Sequence, residues 1–441
     1  MKRNLFLVLG LMVIITSLVL AGGGGDKSSS SRTEITFVFP GTSDPERAYT
    51  NGLGDAFNKT YPQYHVNVQF DSWNTILPKL IAMCQANNPP ELFWGSQAMF
   101  GDLLSMGYLQ PMDLGNFDTS QFYPFALEQM TVNGQLYSLP TMIEVALLGG
   151  HYNPQIFKRY GVDAAQVVTF NDFLKAAAAV HGQDFLGRGR NDTYGLFFPG
   201  TGYDTIYLLE MVLGNNDSSL MEFTSPAKRK QAIEALTFIQ QMGRYNVPGY
   251  ENMDYKDGQR LYVSNNAALV PTVGSWEYGN IYDMVESNAR LSEEQVGLMV
   301  APIGPSNRGP AKAFVQAYGP YIFKGISEAR KQASSEFIKF HANKENNPRF
   351  PAIMHTPSRK DVSLDDILAL SPYPDKPSYR QYIQNFQKIL ASGNTMPRAR
   401  IPAMNEAGDA LRNNCIDMWQ GRKTPEQAYE ALLPLLSTLW R

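Results

Sequence analysis

The sequence predicts an α/β protein of at least two domains, and three observations carry that prediction. The segments "EITFVF" (34–39) and "HVNVQF" (65–70) alternate apolar with polar or β-branched residues, while Leu53, Ala56, Phe57 and Tyr61 between them recur at helical spacing. The pattern continues with a helical stretch near 74–86 and a short apolar run, "ELFWG" (91–95), behind Pro89-Pro90. Repeated βα units of this kind build a parallel sheet covered on both faces by helices. Finally, about 400 residues follow position 32, more than one hydrophobic core usually organises.

Taken in order, the chain opens with Lys2 and Arg3, an apolar run from Leu5 to Leu20, and the small residue Ala21, which reads as an export signal over residues 1–21. A membrane anchor is the alternative, but the run is short for a bilayer core and is followed by Gly and Ser rather than charge. Residues 22–32, "GGGGDKSSSSR", form a flexible tether. After the first strand, "SDPE" (43–46) opens a helix, and Ser43 and Asp44 are candidates for its cap. Trp94 ends the third apolar run just before Gly95, and ligands of such sheets bind beyond the carboxyl ends of strands.

A second region begins after residues 134–153, where Glu144 interrupts the apolar run "LPTMIEVALLGG". A carboxylate there needs partners, either a ligand hydroxyl or a buried backbone or arginine group. Helices are expected over "TFNDFLKAAAAV" (169–180), around Ile233, Leu236, Ile239 and Met242, and over "RKQASSEFIKFHANKE" (330–345). Tyr203 and Asp204 lie in the glycine-flanked loop "PGTGYDTIY". In "ALVPTVGSWEYGNI" (268–281) a strand breaks at Gly274, and the turn presents Trp276 and Tyr278 beside Glu277. "SPYPDKP" (371–377) reads as a surface loop, and Arg398 and Arg400 in "MPRARIP" as a solvated surface. The last helix begins at Thr424-Pro425-Glu426-Gln427, a capping box, with Tyr429, Leu432, Leu433 and Leu436 as its buried stripe.

Composition excludes several function classes. With 38 basic against 41 acidic residues and a net charge of -3, there is no field to hold nucleic acid or an anionic membrane. Two cysteines, Cys84 and Cys415, make no disulfide framework; two buried thiols are expected, with a single bridge between them as the alternative. The five histidines have no metal-ligand spacing, so neither a metal nor a cofactor is expected. No nucleophile elbow, zinc-binding His-Glu-x-x-His or phosphate loop occurs. Glu144, Asp204 and Glu277 could be imagined as a glycosidase pair, but the distance defining that chemistry is not written in the sequence.

Five segments in order resemble a known family: "AFNKTYPQYHVNV"; "PPELFWGS" with "LLSMGYLQPMDL"; "NGQLYSLPTMIEVALLGGHYNPQIFKRYGV"; "SNNAALVPTVGSWEYGNI"; and "WQGRKTPEQAYEAL". The chain resembles the extracellular solute-binding proteins of bacterial ATP-binding-cassette importers, in the sugar-binding group that includes the maltodextrin binder. The resemblance implies a two-lobed periplasmic-binding-protein fold, each lobe a mostly parallel sheet flanked by helices, with crossings near Thr141 to Val145, Phe314 to Tyr318 and residues 345–355. Residues 33–142 plus about 314–345 would form the first lobe, and about 146–313 plus 350–441 the second.

It further implies a monomer, exported to the periplasm or the outer face of the membrane, that binds a mono- or oligosaccharide and delivers it to a membrane permease. The ligand-binding residues expected are Trp94, Glu144, Tyr203, Asp204, Trp276, Ser43, Asp44 and Arg400. Aromatic planes of this kind cover sugar C–H faces, while carboxylates and arginines pair with hydroxyls. The chain departs from the family where Leu20-Ala21-Gly22 lacks the lipid-bearing cysteine, so a lipid anchor is not expected, and where "LGGHYN" replaces an aliphatic-Tyr-Tyr-Asn run. The alternatives are a polyol or sugar-phosphate binder, which the arginines near 400 keep open, a secreted carbohydrate-active enzyme, or a sensor-input domain.

Overall fold

The computed structural model describes residues 32–41, 43–73, 75–278, 296–300, 302–399 and 404–439. The export signal and nearly all of the tether therefore lie outside the described residues, as does Arg400. The expected opening is present as strand Thr33–Phe39, helix Asp44–Thr60 and strand Tyr64–Phe70, then helix Ile76–Gln85 and strand Leu92–Gly95. The first strand lies between the other two and pairs parallel with both, Ile35 opposite Val66 and Phe37 opposite Leu92.

Period-two alternation divides the side chains of this sheet between two cores. Ile35, Phe37, Phe39, Leu92 and Trp94 join Leu53 and Phe57 of the first helix and Phe337 of helix Glu328–Ala342. Val38 and Phe93 turn the other way, toward Ile76, Leu80 and Phe100.

The sequence stops and starts these elements locally. Ser43 caps its helix in a reciprocal box with Glu46, and Pro45 occupies the first turn, where its missing N–H costs nothing. Thr169 with Asp172 and Asp254 with Asp257 form the same box. The predicted box at the last helix, Pro425–Leu439, is closed by Thr424 N to Gln427 Oε1 at 2.9 Å and Gln427 N to Thr424 Oγ1 at 3.2 Å.

One strand organises the molecule. Ala313–Phe323 is 11 residues long and buried throughout. Its first half pairs antiparallel with Met142–Ala146 and parallel with Thr395–Pro397, and its second half pairs antiparallel with Leu92–Gly95. At about 3.3 Å per residue it runs more than 30 Å, long enough to serve both lobes. A third segment joins on the far side of Met142–Ala146, where Thr356 bridges Ile143.

The second lobe's core is mainly helical, with Phe173, Leu209, Leu236, Ile239, Leu411, Tyr429 and Leu432 in one cluster. Helices Gly202–Gly214 and Met404–Trp419 meet at two glycines: a Cβ on Gly408 would stand 2.6 Å from the Gly202 carbonyl oxygen, so no side chain fits.

The α/β two-lobed class is as expected, but one detail of pairing differs. Among the described residues the second lobe's sheet is antiparallel, Gly150–Tyr152 running against both Leu269–Val270 and Gly297–Met299. Alternation marks a strand but says nothing of its neighbour's direction, and this strand enters straight from the Met142–Ala146 crossing rather than through a βα unit.

Cys84 is half-buried and Cys415 buried, both as free thiols. Among the described residues no helix is long and apolar enough to cross a membrane, and no group of His, Cys, Asp and Glu could hold a metal ion.

Candidate functional site

The two crossing strands explain why a glutamate interrupts an apolar run. Their pairing sets Met142 opposite Tyr318, Glu144 opposite Gln316 and Ala146 opposite Phe314 on one face, with Ile143, Val145, Val315 and Ala317 on the other. The second set belongs wholly to one apolar core, shared with helix Pro377–Ser392. The first set changes character along its length: Met142 and Tyr318 belong to the first-lobe core, and Ala146 and Phe314 to the second-lobe core. Between the two cores this face carries a polar pair, Glu144 and Gln316.

That pair anchors a buried network. Glu144 Oε1 accepts from the Tyr207 hydroxyl at 2.6 Å and Oε2 from the Tyr318 hydroxyl at 2.5 Å. Gln316 donates to the Tyr318 oxygen and accepts from Arg398 Nη1 at 3.2 Å. Arg398 Nη1 also donates to the Tyr203 hydroxyl at 2.7 Å, its Nε lies 3.6 Å from Glu210 Oε2, and its guanidinium stands 5.1 Å from the Tyr203 and Tyr207 ring centres. Burial pushes the Glu144 carboxyl above the usual range, opposed by the two tyrosines and by the Arg398 charge. Burial likewise takes Glu210 up to about 7.

Arg398 corrects the sequence reading, which put it on a solvated surface. Pairing of Thr395–Pro397 with residues 313–315 carries it beside Gln316, and its side chain is sealed. That long-range pairing leaves no trace in the local sequence. Arg400 lies outside the described residues.

Aromatic rings line the way from one lobe to the other. Trp94 is only 2% exposed, stacked between Phe39 at 4.8 Å and Tyr318 at 5.0 Å, with its indole N–H on Thr141 Oγ1 at 3.0 Å. Trp73, at 39% exposure, meets both Trp94 at 6.0 Å and Tyr318 at 6.2 Å edge-on, so it presents the accessible ring of this cluster. Trp73 was missed, although the strand-end argument used for Trp94 reaches it equally, three residues beyond strand Tyr64–Phe70.

The row continues from Tyr318 to His355 at 6.0 Å and from His355 to Trp276 at 6.1 Å. Trp276 is half-buried and donates to Glu277 Oε1 at 2.9 Å, while Gln259 donates to Oε2 at 2.7 Å. Burial raises the Glu277 carboxyl to about 7. The Gly274 turn is obligatory: a Cβ there would lie 2.0 Å from the Val145 carbonyl oxygen and 2.7 Å from the Trp276 ring.

Tyr203 keeps 42% of its surface exposed and stacks near-parallel on Tyr207 at 6.3 Å. Asp204 stands in the first turn of the same helix, where its Oδ2 accepts from the Thr201 hydroxyl at 2.5 Å, and burial takes its carboxyl up to about 6. Ser43 spends its hydroxyl on the helix cap, and Asp44 is exposed beside it. The structure thus brings Glu144, Tyr203, Trp94 and Trp276 around the crossing strands, and adds Trp73, Tyr207, Gln316, Tyr318, His355 and Arg398.

Comparison with known proteins follows the same lines. The model of a family described as bacterial extracellular solute-binding protein matches residues 52–375. An uncharacterized ABC transporter extracellular-binding protein of Pyrococcus horikoshii is 27% identical over 379 residues, covering 83% of this chain and 80% of its own. The maltodextrin-binding protein of Bacillus subtilis is 22% identical over 413 residues, covering 85% of this chain and 92% of its own. A maltose-bound structure from T. maritima superposes with a TM-score of 0.73 at 18% identity, covering 92% of this chain and all of the other, a likeness of fold. With the family model spanning well over half of its length, this chain belongs to the bacterial extracellular solute-binding proteins.

Proposed function

We propose that this protein captures an uncharged saccharide between its lobes and delivers it, unchanged, to the permease of an ATP-binding-cassette importer, acting as an exported monomer. The observation that carries the reading is the face of the crossing strands where Glu144 and Gln316 separate two apolar cores, flanked by the exposed rings of Trp73 and Tyr203 and by half-buried Trp276. Rigid aromatic planes cover sugar C–H faces at little entropic cost, and the polar floor orients hydroxyls. A relative named for maltodextrin binding and a fold neighbour holding maltose support the same ligand class. Closure then follows from binding, because a ligand that touches both lobes has higher affinity for the closed state.

Two observations favour this over the alternatives. A glycosidase needs a free acid and a free base or nucleophile, whereas Glu144, Asp204 and Glu277 are all engaged: by two tyrosines, by Thr201, and by Gln259 with Trp276. Of the two arginines that keep a phosphorylated ligand open, Arg398 is committed to Glu210, Tyr203 and Gln316, and Arg400 lies outside the described residues. Thermal-shift titration tests the reading: maltose, maltotriose or another uncharged saccharide should raise the melting temperature and be recovered intact. A shift with a peptide or a polyamine and none with any saccharide overturns it, and shortened oligosaccharides would make it an enzyme.

A further inference from the structure

One residue of the third segment, His355, is placed to read a ligand rather than merely enclose it. It is held in the left-handed region at φ +72°, a conformation a β-carbon disfavours and that persists only where the surroundings over-determine it. The surroundings do so. His355 N donates to the Ser275 carbonyl at 2.9 Å, and the next residue, Thr356, is tied to Ile143 by bonds of 2.8 and 3.0 Å in both directions. Ser275 N in turn donates to the Val145 carbonyl at 2.8 Å. The imidazole is thereby fixed between the Trp276 and Tyr318 rings, with Phe350 stacked at 5.8 Å on it.

The tautomer follows from the partner of Nδ1. Ser275 Oγ accepts from Val145 N–H at 3.0 Å, and His355 Nδ1, 3.4 Å away, is the acceptor the described residues offer its proton; with Nδ1 protonated the serine would accept twice and its own proton would be buried without a partner. The imidazole proton is then on Nε2. Burial pushes the ring's pKa down to about 3, so it is neutral. His151 and His341 each seal an Nδ1 without a partner, whereas neither ring nitrogen of His355 is both sealed and unpartnered, and the residue keeps 7% exposure. No described residue accepts from its Nε2.

We propose that His355 is a specificity residue of the saccharide site, its Nε2–H donating to a hydroxyl or ring oxygen of a sugar that spans Trp276 and Tyr318. The inference rests on the saccharide reading above and adds to it a neutral donor on the hinge, in a floor whose other central group, Glu144, is an acceptor. A donor beside the crossing strands, one residue from the Thr356–Ile143 bridge, selects for an acceptor oxygen at that position.

The test has two arms. In the free protein, nitrogen-15 spectra of labelled histidine at pH 7 should give the Nε2–H tautomer for the resonance that His355→Asn removes, and the Nδ1–H tautomer would overturn the inference. Asparagine is the control for folding because it tolerates the left-handed region. With maltotriose as the probe, the same Nε2 resonance should shift, and the folded fraction of His355→Phe, which keeps a flat ring without the donor, should bind about tenfold more weakly, at a melting temperature lowered by the left-handed backbone and the lost Ser275 bond. Wild-type affinity in His355→Phe, or an unmoved resonance at saturation, overturns the inference. If both variants melt far lower while their folded fractions bind normally, His355 is a packing residue only and the inference fails. Failure of the saccharide reading is recognised separately, since the unmodified protein would then bind no saccharide.

Discussion

Replacing Glu144 by glutamine tests the polar floor, because the shape is kept and only the acceptor pattern changes. The carboxylate accepts from two hydroxyls, Tyr207 at 2.6 Å and Tyr318 at 2.5 Å. An amide keeps one acceptor and offers an N–H at the other position, which a tyrosine hydroxyl can accept only by turning round and giving up its own bond to residue 144. A hydrogen bond to a charged group contributes about 1.5–3 kcal/mol, and leaving a buried polar group unpaired costs about 1–3 kcal/mol, so Glu144→Gln should lose about 2–4 kcal/mol of stability. Arg398 also loses one of the two carboxylates whose charge it feels. Urea denaturation at pH 7.5 reads the loss as a lower midpoint with an unchanged slope. Tyr207→Phe should be worth less in the Glu144→Gln background than in the wild type, because the bond it removes is already compromised. If Glu144→Gln leaves the midpoint within about 0.5 kcal/mol of wild type, the two tyrosine bonds do not hold the floor together and that part of the account is wrong.

Three further outcomes are expected. Arg398→Met leaves Glu210 buried without its cation and should cost about 3–5 kcal/mol by denaturation; a loss under about 1 kcal/mol would mean that the guanidinium is solvated after all. Trp73→Ala, removing a ring already 39% exposed, should leave the melting temperature of the empty protein nearly unchanged and weaken maltotriose about tenfold by calorimetry; the reverse pattern makes it a core residue. Glu277 and Glu210 both have carboxyls raised to about 7 in the folded state. The folded protein then holds more protons than the unfolded one, so their contribution is complete below about pH 4.3 and is lost as pH rises through 7. Three buried neutral histidines titrate in the opposite sense, so the reading is a difference: the stability of the wild type relative to Glu277→Gln should fall between pH 5 and 7.5, by at most about 3 kcal/mol, and an unchanging difference contradicts the assignment.

What could be read in the sequence was whatever is written locally. Strand Thr33–Phe39, helix Asp44–Thr60 and the capped helix Pro425–Leu439 each carry their own period and their own cap, so their existence and ends are legible. Glu144 was conspicuous because a carboxylate in an apolar run needs a reason. The reason itself, two tyrosines and an arginine from 63 to more than 170 residues away in sequence, appears only when residues 142–146, 313–318 and 395–397 pair. Arg398 was misread for the same cause. Trp73 differs, since it follows a strand end as Trp94 does and is legible by the same argument. Pairing direction in the second lobe was beyond reach, because alternation is the same for parallel and antiparallel neighbours.

The central claim is that a saccharide joins the two lobes across the Glu144–Gln316 floor and so favours closure about the crossing strands. Small-angle scattering of the protein with and without saturating maltotriose, with calorimetry on the same sample to establish saturation, tests it most directly. The account predicts a smaller radius of gyration in the bound protein and an intact trisaccharide recovered afterwards. An unchanged scattering curve at proven saturation, or no binding by maltotriose or any other uncharged saccharide, would contradict it.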